Sequence, residues 1–138
     1  MDCNLSPIRG LSVMQPWAGL IVHGPKRTEN RIWNTRYRGW LLICASKRRD
    51  PWLPGDAELN HWRVKREDLD PLGVALGVAC LKDIDTTVVS EWDAHGQYHW
   101  RLIDVRPFKN PFPLKGRQRL FHLSDQEKEA VNRALRGE

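Results

Sequence analysis

Leu11-Ser12-Val13-Met14-Gln15-Pro16-Trp17-Ala18-Gly19-Leu20-Ile21-Val22-His23-Gly24-Pro25-Lys26-Arg27-Thr28-Glu29-Asn30-Arg31 changes its local habit twice within 21 residues. Leu11 to Met14 reads as a short strand. Pro16 suits a first helical position, where its missing N–H costs nothing, and a helix with one buried face follows through Trp17, Leu20 and Ile21 to Gly24. If the chain then extends, Glu29 and Arg31 share a face, because strand side chains repeat with a period of two. Lys26 sits in the turn beside them. A guanidinium fork, a mobile ammonium and a carboxylate acceptor can together hold a phosphate and read the polar edge of a base. A plain surface ion pair would show the same spacing.

Working outward, Arg31 to Trp33 continues the extended stretch and Tyr37-Arg38-Gly39 turns. Trp40 to Ala45 is a nearly continuous apolar run, as in a strand buried on both faces. Asp50 to Gly55 breaks the pattern, and Asp56 to Glu67 has helical spacing, with Leu59, Trp62 and the stem of Lys65 on its inner side. Gly73 to Ile84 reads as a central strand and Gln97 to Val105 as another. Pro107 to Pro113 reads as an irregular, proline-rich connection, and Leu120 to Leu123 as a return to the sheet. Ser124 and Glu127 form a capping-box pattern ahead of a helix through Ala130, Val131, Ala134 and Leu135. The expected class is α+β, a small mixed β-barrel with packed helices, in one domain over 1–138.

The chain has 22 basic residues against 17 acidic ones, a net charge of +5. From Lys26 to Arg49 the balance is eight basic residues to one acidic. Arg101 to Arg119 holds six basic to one acidic, whereas Asp50 to Asp70 is acidic, so charge is clustered along the chain. Such clustering favours a polyanionic partner. No apolar run is long enough to cross a bilayer, and Met1 to Gly10 does not read as a basic region followed by an apolar one, so no export is expected. Cys3, Cys44 and Cys80 are odd in number and widely spaced, which fits reduced thiols better than a disulfide framework. The expectation is a soluble, unexported protein, cytoplasmic or nuclear.

Three blocks in order resemble one family: Leu11 to Ala18 with its Gln-Pro-Trp, then Gly24-x-Lys26-x-x-Glu29-x-Arg31, then Tyr37-Arg38-Gly39 leading to Ala45-Ser46. Ala75 to Ile84 and Phe112 to Gln118 extend the match to about residues 10–124. The sequence resembles an ASCH domain, of the PUA-like superfamily, as found in a transcriptional coactivator. Pro25 and the acidic insert from Asp50 to Leu72 depart from the pattern. The resemblance implies a PUA-like barrel whose positive cleft, lined by Gln15, Trp17, Lys26, Glu29 and Arg31, engages a nucleotide or nucleic acid.

Further contacts are expected from Trp33, Arg36, Arg38, Ser46, Lys47, Arg48, Lys115, Arg117 and Gln118, with Tyr37 a second stacking platform. Trp40, Trp62 and Trp100 sit in apolar patterns and read as packing. His95 and His99 have metal-ligand spacing only on a helix, which Gly96 and the following alternation oppose, so no metal and no cofactor is expected. Binding of DNA or RNA, single-stranded or duplex and within a larger complex or alone, is the leading reading. Two hydrolytic alternatives start from Lys26 and Glu29. Some bacterial relatives deacylate N4-acetylcytidine with a lysine, a threonine and a glutamate, but the threonine position is Glu29 here. Others act as ribonucleases.

Overall fold

The computed structural model describes residues 5–138; Cys3 lies outside them. Six strands follow in the order β1 (Ile8–Gln15), β2 (Thr28–Arg31), β3 (Gly39–Arg49), β4 (Val74–Asp85), β5 (Tyr98–Pro113) and β6 (Leu120–Phe121). The helices are α1 (Trp17–Val22), α2 (Asp56–Trp62) and α3 (Asp125–Leu135), with a 3-10 turn over Arg66–Leu69. All strands join one sheet in the order β2-β5-β4-β3-β1-β6. β1 runs parallel to β3 and every other ladder is antiparallel.

The sheet is covered on both faces, and β3 shows how the sequence does this. Leu41, Ile43 and Ala45 enter one core cluster with Ala18, Ile21 and Val22 of α1, while Leu42 and Cys44 enter a second with Val131 and Ala134 of α3. That alternation is the period of two applied to an apolar run, so the strand reads as apolar throughout. Cys44 and Cys80 are free thiols, and burial pushes the Cys44 thiol up to about 12. Among the described residues no helix is long and apolar enough to cross a membrane.

Strand pairing leaves the sheet open. β2 and β6 are its edges and no ladder joins them among the described residues, so the closed barrel expected from the sequence is not formed by backbone pairing. The reason is local. β6 is two residues long and covers only Gly10 and Leu11 of β1, leaving the end of β1 without a strand on that side. A side chain reaches this uncovered edge instead: Arg31 Nη2 of β2 donates to the Ser12 carbonyl at 2.8 Å.

Several expected boundaries shift. The segment 107–113 is the end of β5, with Pro107 opposite Gly77 and Pro113 opposite Val74. β2 covers β5 only from Tyr98 to Arg101, so from there on β5 has a ladder partner on one side alone, where proline's missing N–H is tolerated. α2 stops at Trp62 because Arg63 turns left-handed at φ 59°, and Lys65 is exposed rather than turned inward. The extended stretch expected at Arg31 to Trp33 instead ends at Arg31. The capping box forms as read, with Ser124 Oγ accepting from Glu127 N–H and Glu127 Oε1 accepting from Ser124 N–H. The acidic insert folds onto α1, where Leu59, Val64 and Leu69 enclose Leu20.

Candidate functional site

A cleft of about 750 Å³ opens between the β1–α1 corner, β2 and the loop joining β4 to β5. Its lining includes Trp17, Lys26, Glu29, Arg31, Trp33 and Trp92. Lys26 reaches it because the turn after α1 is fixed at its backbone. Gly24 N–H and Lys26 N–H both donate to Leu20 O, at 3.1 and 3.2 Å. Gly24 is required there, since a Cβ would stand 2.8 Å from that same carbonyl.

Lys26 is 3% exposed. Its ammonium lies 5.5 Å from the centroid of Trp17 and 5.7 Å from that of Trp92. Among the described residues it has neither a hydrogen bond nor an ion pair within bonding distance. Burial lowers its pKa below the ordinary 10.5, partly opposed by the charges of Glu29 and Asp93. A cation held this way is costly to the fold.

Glu29 and Arg31 point the same way, as their spacing requires. Arg31 Nε and Nη2 lie 2.9 and 2.8 Å from Glu29 Oε2. Glu29 Oε1 and Arg31 Nη1 carry no hydrogen bond among the described residues, so the pair keeps one acceptor and one donor group to spare. Thr28 points to the other face, where its Oγ1 accepts from Arg101 and is buried. It does not line the cleft.

The opposite wall is invisible in the sequence. The loop from Thr86 to Gln97 has no regular structure, yet it supplies Glu91, Trp92, Asp93, Ala94 and Gln97 to the lining. Asn30 clasps it to β2, donating to Trp92 O at 2.8 Å and accepting from Ala94 N–H at 3.0 Å. Arg101 donates to both carboxylate oxygens of Asp93 and pairs with Asp85. Burial alone would raise the Asp93 carboxyl, but hydrogen bonds from Val89 N–H, Arg101, Thr28 and Ser90 outweigh it and hold Asp93 well below the usual carboxylate range. His99 lies in β5, with its ring nitrogens 2.7 Å from Ala94 O and 3.0 Å from Thr87 O. Its ring faces two carbonyls of the loop and not the cleft, and an N–H of the ring donates to that backbone.

These partners correct the expected electrostatics. The lining holds two cations, Lys26 and Arg31, against three carboxylates, Glu29, Glu91 and Asp93. The cleft is therefore not a positive groove. Arg31 is neutralised by Glu29 and Asp93 by Arg101, which leaves Lys26 inside and Glu91 exposed at the loop surface.

Other expected contacts are placed elsewhere. Gln15 is fully buried, with Nε2 donating to Pro71 O and Oε1 accepting from Gly19 N–H, so it ties the insert to α1 and does not face the cleft. Trp17 stacks on Trp52 at 4.9 Å and donates to Asp50. Trp33 stands edge-on to Trp100 with the Arg119 guanidinium 4.9 Å over its ring, an addition the sequence did not single out. Tyr37 hydrogen bonds the carbonyls of Pro7 and Trp40.

Arg36, Arg38, Ser46, Lys47, Arg48, Lys115, Arg117 and Gln118 lie outside the lining. Arg38 caps Thr35 O and Tyr37 O, and Ser46 Oγ accepts from Arg48 N–H. Arg117 is paired through two bonds with Glu127. Its loop touches the cleft margin through Ser12, whose Oγ donates to Arg117 O at 3.4 Å. Gly116 lets the loop come this close, since a Cβ there would overlap Ser12 Oγ.

A single twisted sheet with a helix at the β1–β2 crossover, a Lys-Glu-Arg face and an aromatic wall defines the class. An ASCH domain family model matches residues 11–130, and the chain belongs to the ASCH domain family. Among individual proteins, it is 30% identical over 146 aligned positions to human activating signal cointegrator 1 and 29% identical to the mouse protein of that name. These alignments cover 91% of the chain and 24% of each relative. The chain thus spans about a quarter of the length of the relatives it matches.

Proposed function

We propose that the protein is a nucleic-acid-binding module that takes one base or terminal nucleotide into the Lys26 cleft. The observation that carries this reading is Lys26 itself, a buried ammonium facing an open cleft between two indoles with no hydrogen-bond or ion-pair acceptor among the described residues. A fold that bears this cost gains when a ligand supplies the acceptor. Glu29 Oε1 offers an acceptor for a base amino or imino group, and Lys26 a donor for a ring nitrogen or carbonyl. Trp33 and Trp92 offer indole surface for a flat ring, and stacking of this kind is worth roughly 1–3 kcal/mol per base.

Phosphate contacts fall to exposed cations beyond the cleft, with Arg119 over Trp33 nearest to it and Arg36, Lys47, Arg48 and Lys115 further out. Base recognition inside and electrostatic grip outside are then separate terms. Membership of the family, and likeness to a protein named as a signal cointegrator, support a role in which the domain brings a larger transcriptional assembly to nucleic acid in the nucleus.

The test is fluorescence-anisotropy titration of labelled single- and double-stranded DNA and RNA at two salt concentrations, for the wild type, Lys26→Ala/Arg31→Ala and Glu29→Ala, with the same samples run on a gel. Salt-sensitive binding that the double variant loses, with intact strands on the gel, is the expected result. Equal binding by the double variant would refute the cleft as the site, and cleavage dependent on Glu29 would make the protein a nuclease.

A further inference from the structure

We propose that Lys26 captures carbonyl groups, forming a Schiff base with an aldehyde carried by a nucleic acid. The inference rests on the binding reading above and extends it from recognition to covalent chemistry.

Four observations converge on the Nζ atom. It lines a cleft large enough for a nucleotide, and among the described residues it is the one amine there. No carboxylate or carbonyl among the described residues ties up its protons, so its lone pair is released by losing one proton and no structural bond. Burial favours the uncharged amine, which is the nucleophilic form. Glu29 lines the same cleft with Oε1 free among the described residues, an acceptor that a proton can reach through the bound aldehyde's oxygen or one water.

The step balances without any added oxidant or reductant. The Lys26 lone pair attacks the aldehyde carbon, an N–C bond forms, and the carbonyl π pair moves to oxygen. One proton passes from the nitrogen to the alkoxide to give a hydroxyl, Glu29 relays the second nitrogen proton to that hydroxyl, water departs, and a neutral C=N bond remains. When protonated, this product is an iminium with the same charge as the ammonium it replaced. The indoles of Trp17 and Trp92, which lie near the cation in the free protein, are placed to attract the iminium in the same way.

Nucleic acids carry aldehydes in two places: on a formylated base, and at the sugar of an abasic site in its ring-opened form. Both present an electrophilic carbon to the cleft, the first with a ring to stack and the second without.

The experiment incubates the protein with three labelled oligonucleotides of one sequence, carrying a formylpyrimidine, an abasic site or the unmodified base, in the presence of cyanoborohydride. Trapped adducts are read by denaturing gel and located by peptide mass spectrometry. The expected result is an adduct at Lys26 with either or both aldehydes and none with the unmodified strand, lost in Lys26→Arg and slowed severalfold in Glu29→Gln. Thermal denaturation of both variants confirms that each is folded. Anisotropy with the unmodified strand is measured in parallel. Binding of that strand without any adduct overturns the proposal and leaves the nucleic-acid reading standing. Absence of both binding and adduct overturns the two together, and adducts spread over surface lysines and unchanged in Lys26→Arg overturn the proposal alone.

Discussion

Two groups of charged side chains flank β2 and meet at Asp93, which lines the cleft but is held from behind. Behind the strand, Arg101, Asp85, Asp93, Thr28 and His99 are joined into one network in which both carboxylate oxygens of Asp93 and six guanidinium hydrogen bonds are engaged and the His99 ring faces two loop carbonyls. In front of it, Lys26 has no hydrogen-bonding or ion-pairing partner among the described residues, and Glu29 and Arg31 keep an oxygen and a nitrogen unused there. A satisfied polar network specifies a conformation. An unsatisfied one facing open space is chemistry held ready for something else. The first builds the wall of the cleft, and the second is what the wall encloses.

The largest way to break this contrast is to remove the centre of the satisfied group. Arg101→Met leaves Asp93, whose side chain is fully buried, without its cation. The expected loss is roughly 3 kcal/mol, at the lower end for breaking a buried pair because Arg101 is itself partly exposed. Chemical denaturation measures it, and a loss under 1 kcal/mol would mean that the network does not hold the loop. The counterpart is Lys26→Met, which removes an unpartnered cation while keeping most of the stem volume. Nucleic-acid affinity is expected to fall about 10- to 100-fold, as for loss of a charge-assisted hydrogen bond. Stability is expected to rise, by about 1 kcal/mol.

Smaller effects sharpen the boundary between the two groups. Gln15→Ala leaves Gly19 N–H without its acceptor in a buried corner and should cost about 1–3 kcal/mol of stability, with affinity for nucleic acid retained in the folded fraction. Asn30→Ala unclasps the Trp92 wall and should weaken binding severalfold with a stability cost of about 1 kcal/mol. The smallest effect is in pH. The folded-state pKa of Lys26 lies below its ordinary 10.5, so the charged form burdens the native state fully below the folded pKa and ceases to do so above the unfolded one. The stability advantage of Lys26→Met should therefore narrow as pH rises toward 10.5, and a constant advantage would assign it to packing instead.

What could be read from the sequence follows the same division. Lys26, Glu29 and Arg31 are placed by one turn and one short strand, so period-two reasoning finds their shared face. The two-sided burial of β3 and the Ser124–Glu127 capping box are local patterns too. The far wall was illegible because Trp92 and Asp93 come from a loop with no periodicity, brought to β2 by Asn30 across 64 residues and braced by Arg101 and His99 of the following strand. For the same reason the expected positive cleft was wrong: charge counted along 26–49 omits the carboxylates that arrive from 91–93. Gln15 resembled a ligand contact because it belongs to the family motif, but its two hydrogen bonds show a structural part. Pro107 and Pro113 read as loop because proline punctuates chains, and only the one-sided pairing of β5 explains their place in a strand.

The most direct measurement compares wild type and Lys26→Met in one buffer by denaturant unfolding and by anisotropy against labelled single-stranded RNA and DNA. Affinity that falls at least tenfold while stability is unchanged or higher is the result this account predicts. Affinity that survives the substitution, or that disappears only together with stability, would contradict it and make Lys26 part of the scaffold.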